Sequence, residues 1–247
     1  VTAGEPWYVE AFRSEYRAVY PHRDLPSARV EVAALCAQGI EGRVLDLCCG
    51  FGRHTLALLE RGLDACGLDL SPELLESARQ LPGAELLRGR LVRGDARALP
   101  LRTASFDALL NLFSSFGYFG ADGDRALLAE AARVLKPGGR ALFDLMNAQR
   151  VRAALVPRSR SERGEWTVLE QRSLAEDGRV VRKDVELLGA DGTRRAWREE
   201  VRLYEPSDFE ALLRGANLRL LRYTGDFEGE LYGPRSARML AWAERSG

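Results

Sequence analysis

The stretch Arg43–Leu59, RVLDLCCGFGRHTLALL, decides how the rest of the chain is read. Val44-Leu45-Asp46-Leu47 is a short apolar run of strand length. Gly50 and Gly52 follow, and glycine takes backbone conformations closed to other residues. From about Arg53 to Arg61 the apolar residues fall at helical spacing. A strand, a glycine turn and a helix start make a unit that can hold a nucleotide-like ligand.

The unit recurs. Leu63 to Leu68 reads as a second strand ending in Asp69. Ser71-Pro72-Glu73-Leu74 opens a helix, with Ser71 as N-cap and proline in the first turn. A third strand is expected near Leu91 to Arg93, before Gly94-Asp95, and a fourth over Phe106 to Leu112. A helix over Asp124 to Leu135 is stopped by Lys136-Pro137-Gly138-Gly139, and Arg140 to Leu145 is a fifth strand. This alternation predicts a parallel sheet with helices on both faces. Right-handed crossovers bring the strand ends and their loops to one edge.

Both flanks differ from this pattern. Glu5 to Tyr20 reads as a helix with Trp7, Tyr8, Phe12, Tyr16 and Tyr20 three to five apart, although aromatic residues at that spacing also serve plain packing. Pro21 to Pro26 breaks it, and Ser27 is the expected cap of a second helix to Cys36 or Ala37. Beyond Val156, EWTVLEQRSL, RVVRKDVELL and RRAWREEVRLY read as three strands, with Asp177-Gly178 and Asp191-Gly192 as hairpin turns. The arginine-rich RVRAALVPRSRSERG before them reads as a solvated connector, with the holding of an anionic substrate as its alternative. Ser207 is expected to cap a helix ending at Gly215, with strands over Leu218 to Thr224 and Arg238 to Ala243. The expected division is an N-terminal helical lid over 1–40, a core over 41–157 and 205–247, and an antiparallel β insert over 158–204.

Composition narrows the class of protein. The chain has 247 residues, 46% hydrophobic and 29% charged, and a formal net charge of zero. Such a balance argues against a general nucleic-acid or membrane-surface binder. No apolar run reaches the length of a membrane span, and Val1-Thr2-Ala3-Gly4-Glu5-Pro6 lacks a secretory pattern, so a cytoplasmic protein is expected. Cys36, Cys48, Cys49 and Cys66 form no Cys-x-x-Cys pair, and with two histidines no metal site is expected.

The glycine turn fails the dinucleotide spacing G-x-G-x-x-G. With Gly50 first, the third position is Thr55; with Gly50 second, the first is Cys48 and the third Arg53. A G-x-x-x-x-G-K-[ST] phosphate loop is absent as well. The acids suit another ligand. Asp46 ends strand one, and Asp69 ends strand two 23 residues later, where it can accept from both ribose hydroxyls. Gly94-Asp95-Ala96 follows strand three, where a carboxylate can accept from an exocyclic amine. Along one edge these groups suit an adenosine whose tail carries no phosphate.

VLDLCCGFGRH, GLDLS, GDARALPL, FDALLNLFSSFGYF and LKPGGRALFDL resemble, in order, the motifs of class I S-adenosylmethionine-dependent methyltransferases. The resemblance covers about residues 41–147 and the closing FEALLRGANLRLLRY. FSSFGYF and the aromatic N-terminal helix are most similar to small-molecule N-methyltransferases acting on amino sugars or glycine-type amines. The family's usual acid-x-Gly-x-Gly-x-Gly has Cys48 at the first glycine here. The resemblance implies a doubly wound, mostly parallel, Rossmann-like α/β fold with a seven-stranded sheet and the β insert after strand five. It implies S-adenosylmethionine as cofactor, S-adenosylhomocysteine as product and a small-molecule acceptor, with no nucleic acid or membrane as partner and an oligomer able to form through the insert.

Residue roles follow from that resemblance. Asp69 takes the ribose, with a cap for the next helix as its structural alternative. Leu70 packs on adenine, and Asp95 with the Ala96 N–H reads the adenine edge. Asp46 holds the ligand's amino group or the glycine turn. Arg29 is the choice for the methionyl carboxylate, with Arg53 its rival. Gly50 and Gly52 give the close approach, and Asn111 lies beside the transferred methyl. Ser115, Tyr118, Phe119 and Tyr20 are the expected substrate wall, and His54 and Tyr16 are the candidates for catalysis. A sulfonium is already a strong methyl donor, so alignment does most of the work, on the order of 7–11 kcal/mol at best. An amine acceptor needs no dedicated base and a hydroxyl does, which favours nitrogen. The rival readings are a non-catalytic S-adenosylmethionine-binding regulator and a nucleic-acid methyltransferase. Asn111-Leu112-Phe113-Ser114 departs from the Asn/Asp-Pro-Pro-Tyr of base-amine enzymes.

Overall fold

The computed structural model describes residues 6–13 and 15–247. Seven strands form the main sheet: β1 (Arg43–Leu47), β2 (Asp64–Asp69), β3 (Leu91–Arg93), β4 (Phe106–Asn111), β5 (Leu135–Met146), β10 (Leu218–Thr224) and β11 (Arg238–Arg245). Their order is β10-β11-β5-β4-β1-β2-β3. The pairs among β1 to β5 are parallel, and β11 runs antiparallel to both neighbours. The sheet is the doubly wound one expected.

Its central strands are apolar on both faces because both faces are covered. Leu45 and Leu47 of β1, Phe143 of β5 and Ala241 of β11 pack with helices α6 (Gly120–Val134) and α8 (Pro206–Gly215). The alternate residues Val44, Leu142 and Trp242 pack with α3 (Leu25–Ala37), α4 (Arg53–Glu60) and α5 (Pro72–Ser77). Strand period two thus sorts one sequence into two cores.

The flanks depart from the sequence reading. The N-terminal aromatic segment is two short helices, α1 (Trp7–Ala11) and α2 (Tyr16–Val19); the expected start at Glu5 lies outside the described residues. Phe12, between them, stacks on Tyr118 at 5.7 Å and meets Tyr16 edge-on at 5.4 Å, so ring packing bends this segment off a single axis. The α3 cap is Asp24, whose carboxylate accepts from the Ser27 N–H at 2.9 Å; Ser27 lies in the first turn. Helix α6 starts at Gly120, and β5 starts at Leu135.

The arginine-rich link is no plain connector. It divides into α7 (Ala148–Ala154) and a further strand, β6 (Arg158–Arg163). The insert therefore has four strands, β6, β7 (Trp166–Ala175), β8 (Val180–Gly189) and β9 (Arg194–Arg202), paired antiparallel in chain order. Charged residues on an edge strand discourage pairing with other chains, and the same charges hid β6 from a hydrophobic pattern. One face of the insert lies on the N-terminal segment, where Val168, Val185 and Leu187 pack with Val19. Farther along, Val181, Val201 and Leu203 pack with Ala148 and Val151 of α7.

One close approach ties the sheet to the first loop. A Cβ on Gly67 of β2 would lie 2.6 Å from Thr55 Oγ1, 2.7 Å from Cys49 Sγ and 2.9 Å from Leu91 Cδ2. Gly67→Ala is expected to lower unfolding free energy by about 1–3 kcal/mol through overpacking. Urea denaturation checks this; an unchanged midpoint would mean that the first loop moves aside at no cost.

Candidate functional site

The loops after β1, β2 and β4 meet at the C-terminal edge of the sheet around a cavity of about 540 Å3. Its wall includes Asp46, Cys48, Gly50, Asp69 and Leu70, with Tyr8, Phe12 and Tyr16 from the N-terminal segment. That volume suits a ligand of nucleoside size, within the usual range of about 300–1,000 Å3.

The acids build this wall before any ligand arrives. Asp46 is buried, and its Oδ2 accepts from the Thr55 backbone N–H at 3.0 Å and hydroxyl at 2.7 Å. Strand β1 is thereby tied to the first turn of α4. Asp69 bridges two loops: Oδ2 accepts from Gly50 N–H and Oδ1 from Ser71 N–H, each at 2.8 Å. Ser71 in turn caps α5, accepting from Leu74 N–H at 3.2 Å, and donates to the Phe12 carbonyl at 2.5 Å. Burial pushes both carboxyls above the usual range, against the hydrogen bonds they accept. A cationic ligand placed beside them would favour their charged form.

Cys48 takes a left-handed backbone, φ 62°, followed by Gly50 at 58° and Gly52 at 75°. The departure from the glycine motif thus falls where an L-residue is strained, at a cost of about 1–2 kcal/mol. The Cys48 thiol is pushed well above its ordinary range by burial and by Asp69, Asp46 and Asp95, so it is not a nucleophile.

The same cavity wall also carries guanidinium groups, Arg23 and Arg53 among them. Arg53 Nη1 donates to Glu31 Oε2 at 3.0 Å, to Ser27 Oγ and to the Asp24 carbonyl, while its Nη2 is buried with no partner. His54 Nε2 lies 2.7 Å from the same Glu31 oxygen, and its ring stacks on Phe113 at 5.4 Å. Arg23 lies over the rings of Tyr16, Tyr20 and Phe113; one amino group donates to the Tyr16 hydroxyl, and its buried Nε has no partner.

A second cavity, of about 820 Å3, lies between the sheet edge and the insert. Phe12, Arg23, Phe113 and Tyr118 belong to the walls of both cavities. On the insert side Lys183 pairs with Glu199 at 2.8 Å and donates to the Tyr20 hydroxyl. Glu170 accepts from Arg172 at 2.7 Å and from Ser159 at 2.9 Å.

The structure gathers Asp46, Gly50, Asp69, Leu70, His54, Tyr16, Ser115, Tyr118 and Phe119 at the first cavity. Tyr20 lines the second. Gly52 caps α4 behind the wall. Asp95, Ala96 and Asn111 are set back from the wall. Asp95 is held by both Nε and Nη2 of Arg97, whose guanidinium covers the Phe119 ring at 4.8 Å. Asn111 is buried, donating to the Leu47 carbonyl at 3.1 Å and leaving Oδ1 without a partner. Arg29 does not reach either cavity: it pairs with Glu60 at 2.7 Å, half-exposed on the outer face of α3. Sequence reading missed Arg23, whose place in the Pro21–Pro26 break carries no periodicity. It also missed Glu31, which looks like any helix-surface acid until α3 packs on α4. Among the described residues no cluster of histidine, cysteine and acids could hold a metal.

Residues 44–139 match the family model described as a methyltransferase domain. A putative methyltransferase, YqeM, of Bacillus subtilis is 27% identical over 213 residues, 83% of this chain and 85% of that protein. The chain spans only about half the length, or less, of other curated relatives it matches. An S-adenosylmethionine-dependent methyltransferase structure from Clostridium acetobutylicum superposes with a TM-score of 0.80 at 20% identity, covering 94% of this chain and 96% of that one. S-adenosylmethionine-bound CalS10 of Micromonospora echinaspora, an amino pentose methyltransferase, gives 0.67 at 24% identity, with 94% and 96% covered. At these identities the structural likeness is one of fold.

The His54–Glu31 pair makes stability depend on pH. Burial and the Arg53 charge hold His54 below its ordinary 6.5. Burial would raise Glu31, but the His54 hydrogen bond and the Arg53 charge leave it below 4.5. The unfolded chain therefore binds these protons first, so stability present above pH 6.5 is lost as pH falls through that value, and Glu31 adds to the loss below 4.5. Between pH 7.5 and 5.5, His54→Gln should lose less stability than the parent chain, by on the order of 1 kcal/mol. Urea titrations at the two pH values measure this, and equal losses would show His54 to be protonated in the folded protein.

Proposed function

Because the chain belongs to the class I S-adenosylmethionine-dependent methyltransferases, we propose that its acceptor is a small-molecule amine, methylated at nitrogen by in-line displacement. The observation that carries this reading is the wall of Phe12, Arg23, Phe113 and Tyr118 shared by two cavities of molecular size. One cavity suits the methyl donor, the other an acceptor, and a methyl group has only that wall to cross.

The residues of the first cavity fit S-adenosylmethionine. Each Asp69 oxygen accepts one backbone N–H and keeps a lone pair for a ribose hydroxyl. Gly50, at φ 58°, leaves the approach over the turn open, with Leu74 the nearest side chain to a Cβ there, at 3.9 Å. At the far end the unpaired N–H groups of Arg23 and Arg53 suit the carboxylate of the amino-acid tail, the role that Arg29 is too distant to fill. When bound, S-adenosylmethionine supplies a methyl group already activated on a sulfonium.

The chain's own residues then have three tasks. The aromatic wall aligns the nucleophile and excludes water. The segment before residue 40 acts as a lid over the donor, and the insert over 158–204 sets the choice of acceptor. The arginines near the second cavity disfavour an ammonium, so the acceptor nitrogen arrives with its lone pair free. His22, on the second cavity's wall, is held below the usual histidine range by burial and by Arg23 and Arg163. It is neutral at pH 7 and can take the proton that nitrogen releases. The two candidates from sequence are committed elsewhere: His54 to Glu31, and the Tyr16 hydroxyl to the Arg23 amino group it accepts from.

Two measurements test the reading. Isotope-labelled S-adenosylmethionine with a panel of amino sugars and amino acids, and the matching alcohols, should give N-methyl product alone; O-methyl product, or none from any amine, would overturn it. Arg23→Gln should weaken S-adenosylhomocysteine binding tenfold or more while leaving adenosine, which lacks the amino-acid tail, unchanged in calorimetry. Equal losses for both ligands would remove Arg23 from the carboxylate role.

A further inference from the structure

The second cavity carries more positive charge than its own acids balance. Arg172 is paired with Glu170 at 2.7 Å, Lys183 with Glu199 at 2.8 Å, and Arg238 with the buried Asp144 at 2.6 Å. Two more guanidiniums line this cavity and not the donor cavity: Arg150 of α7 and Arg163 at the end of β6. Among the described residues neither has a carboxylate in ion-pair range. Arg150 Nη1 donates to the Arg235 carbonyl at 3.0 Å. Arg163 Nη1 is buried and has no hydrogen-bond partner. A buried charged donor left unpaired is costly, more so than a neutral one. A group that satisfies it on binding would recover that cost. His22 reports the same local potential, since Arg23 and Arg163 join burial in lowering its proton affinity.

Guanidinium is a planar fork suited to carboxylate and phosphate oxygens. We propose that the acceptor bears an oxyanion, phosphate or carboxylate, which Arg163 and Arg150 hold in the second cavity away from the reacting nitrogen. This rests on the reading that the second cavity takes the acceptor. It adds a substrate class: a small amine with an acidic group, drawn in by the cavity's field.

The test reads binding and needs no methyl transfer. The full chain, saturated with S-adenosylhomocysteine, is titrated calorimetrically with inorganic phosphate, pyrophosphate and acetate at constant ionic strength. At least one anion should bind at a single site. Arg163→Gln and Arg150→Gln should each weaken it tenfold or more, whereas Arg214→Gln, exposed on α8, should not. Preference for acetate over phosphate assigns the acceptor a carboxylate, and the reverse a phosphate. Unchanged S-adenosylhomocysteine affinity verifies that each variant is folded; if Arg163→Gln fails that check, Arg150→Gln carries the test. No single-site binding, or equal affinity in the parent chain and the Arg163 and Arg150 variants, overturns the proposal. Anion binding through these arginines in a protein that methylates no amine would leave this inference standing and remove the amine reading.

Discussion

Much of the site hangs on one carboxylate. Asp69, at the end of β2, holds the Gly50 N–H of the first loop with one oxygen and the Ser71 N–H of the second with the other. Ser71 then reaches the Phe12 carbonyl, so the N-terminal segment is tied to the same point. Charge-assisted bonds of this kind are the strong ones, about 1.5–3 kcal/mol each. The glycine turn, the start of α5 and the aromatic cover are thus placed relative to one acid that also lines the first cavity. Burial makes that acid costly to ionise, and a ligand that donates to it offsets the cost.

Around this point the protein uses arginine and aromatic rings together. Arg23 lies over Tyr16, Tyr20 and Phe113, and Arg53 and Arg238 also lie over Phe113, at 4.2 and 4.4 Å. Guanidinium is weakly hydrated and stacks well, so it can be desolvated here where lysine would resist. The result is a wall that is apolar and cationic at once. Like charges so close need acids to hold them: Glu31 serves Arg53, and Asp144 serves Arg238.

The insert extends that logic. Its inner face packs on α2 and α7 through small apolar clusters, and between those clusters it presents Lys183, Glu199 and Glu170 to the second cavity. The Lys183–Glu199–Tyr20 contact joins β8 and β9 to the segment that follows α2. The N-terminal segment and the insert are thereby tied together beside the second cavity.

The chain's local pattern sufficed for the main sheet. Apolar runs bounded by glycine and acid, repeated with helices between, admit few topologies under the handedness rule. The acids near strand ends were legible too, because Asp69 ends β2 and Asp46 is the next-to-last residue of β1. The failures were of a different kind. Arg29 and Arg23 are equally plausible in one dimension; only packing of α3 against α4 turns Arg29 outward to Glu60 and leaves Arg23 among rings. Strand β6 has no apolar alternation because edge pairing, not burial, makes it a strand. Asp95 looks free in sequence but is taken by Arg97 two residues on. Local periodicity and turn chemistry are properties of neighbouring residues, and the sequence by itself determined what they control. Which charges are left unpaired depends on residues far apart in the chain, and only the tertiary structure decided that.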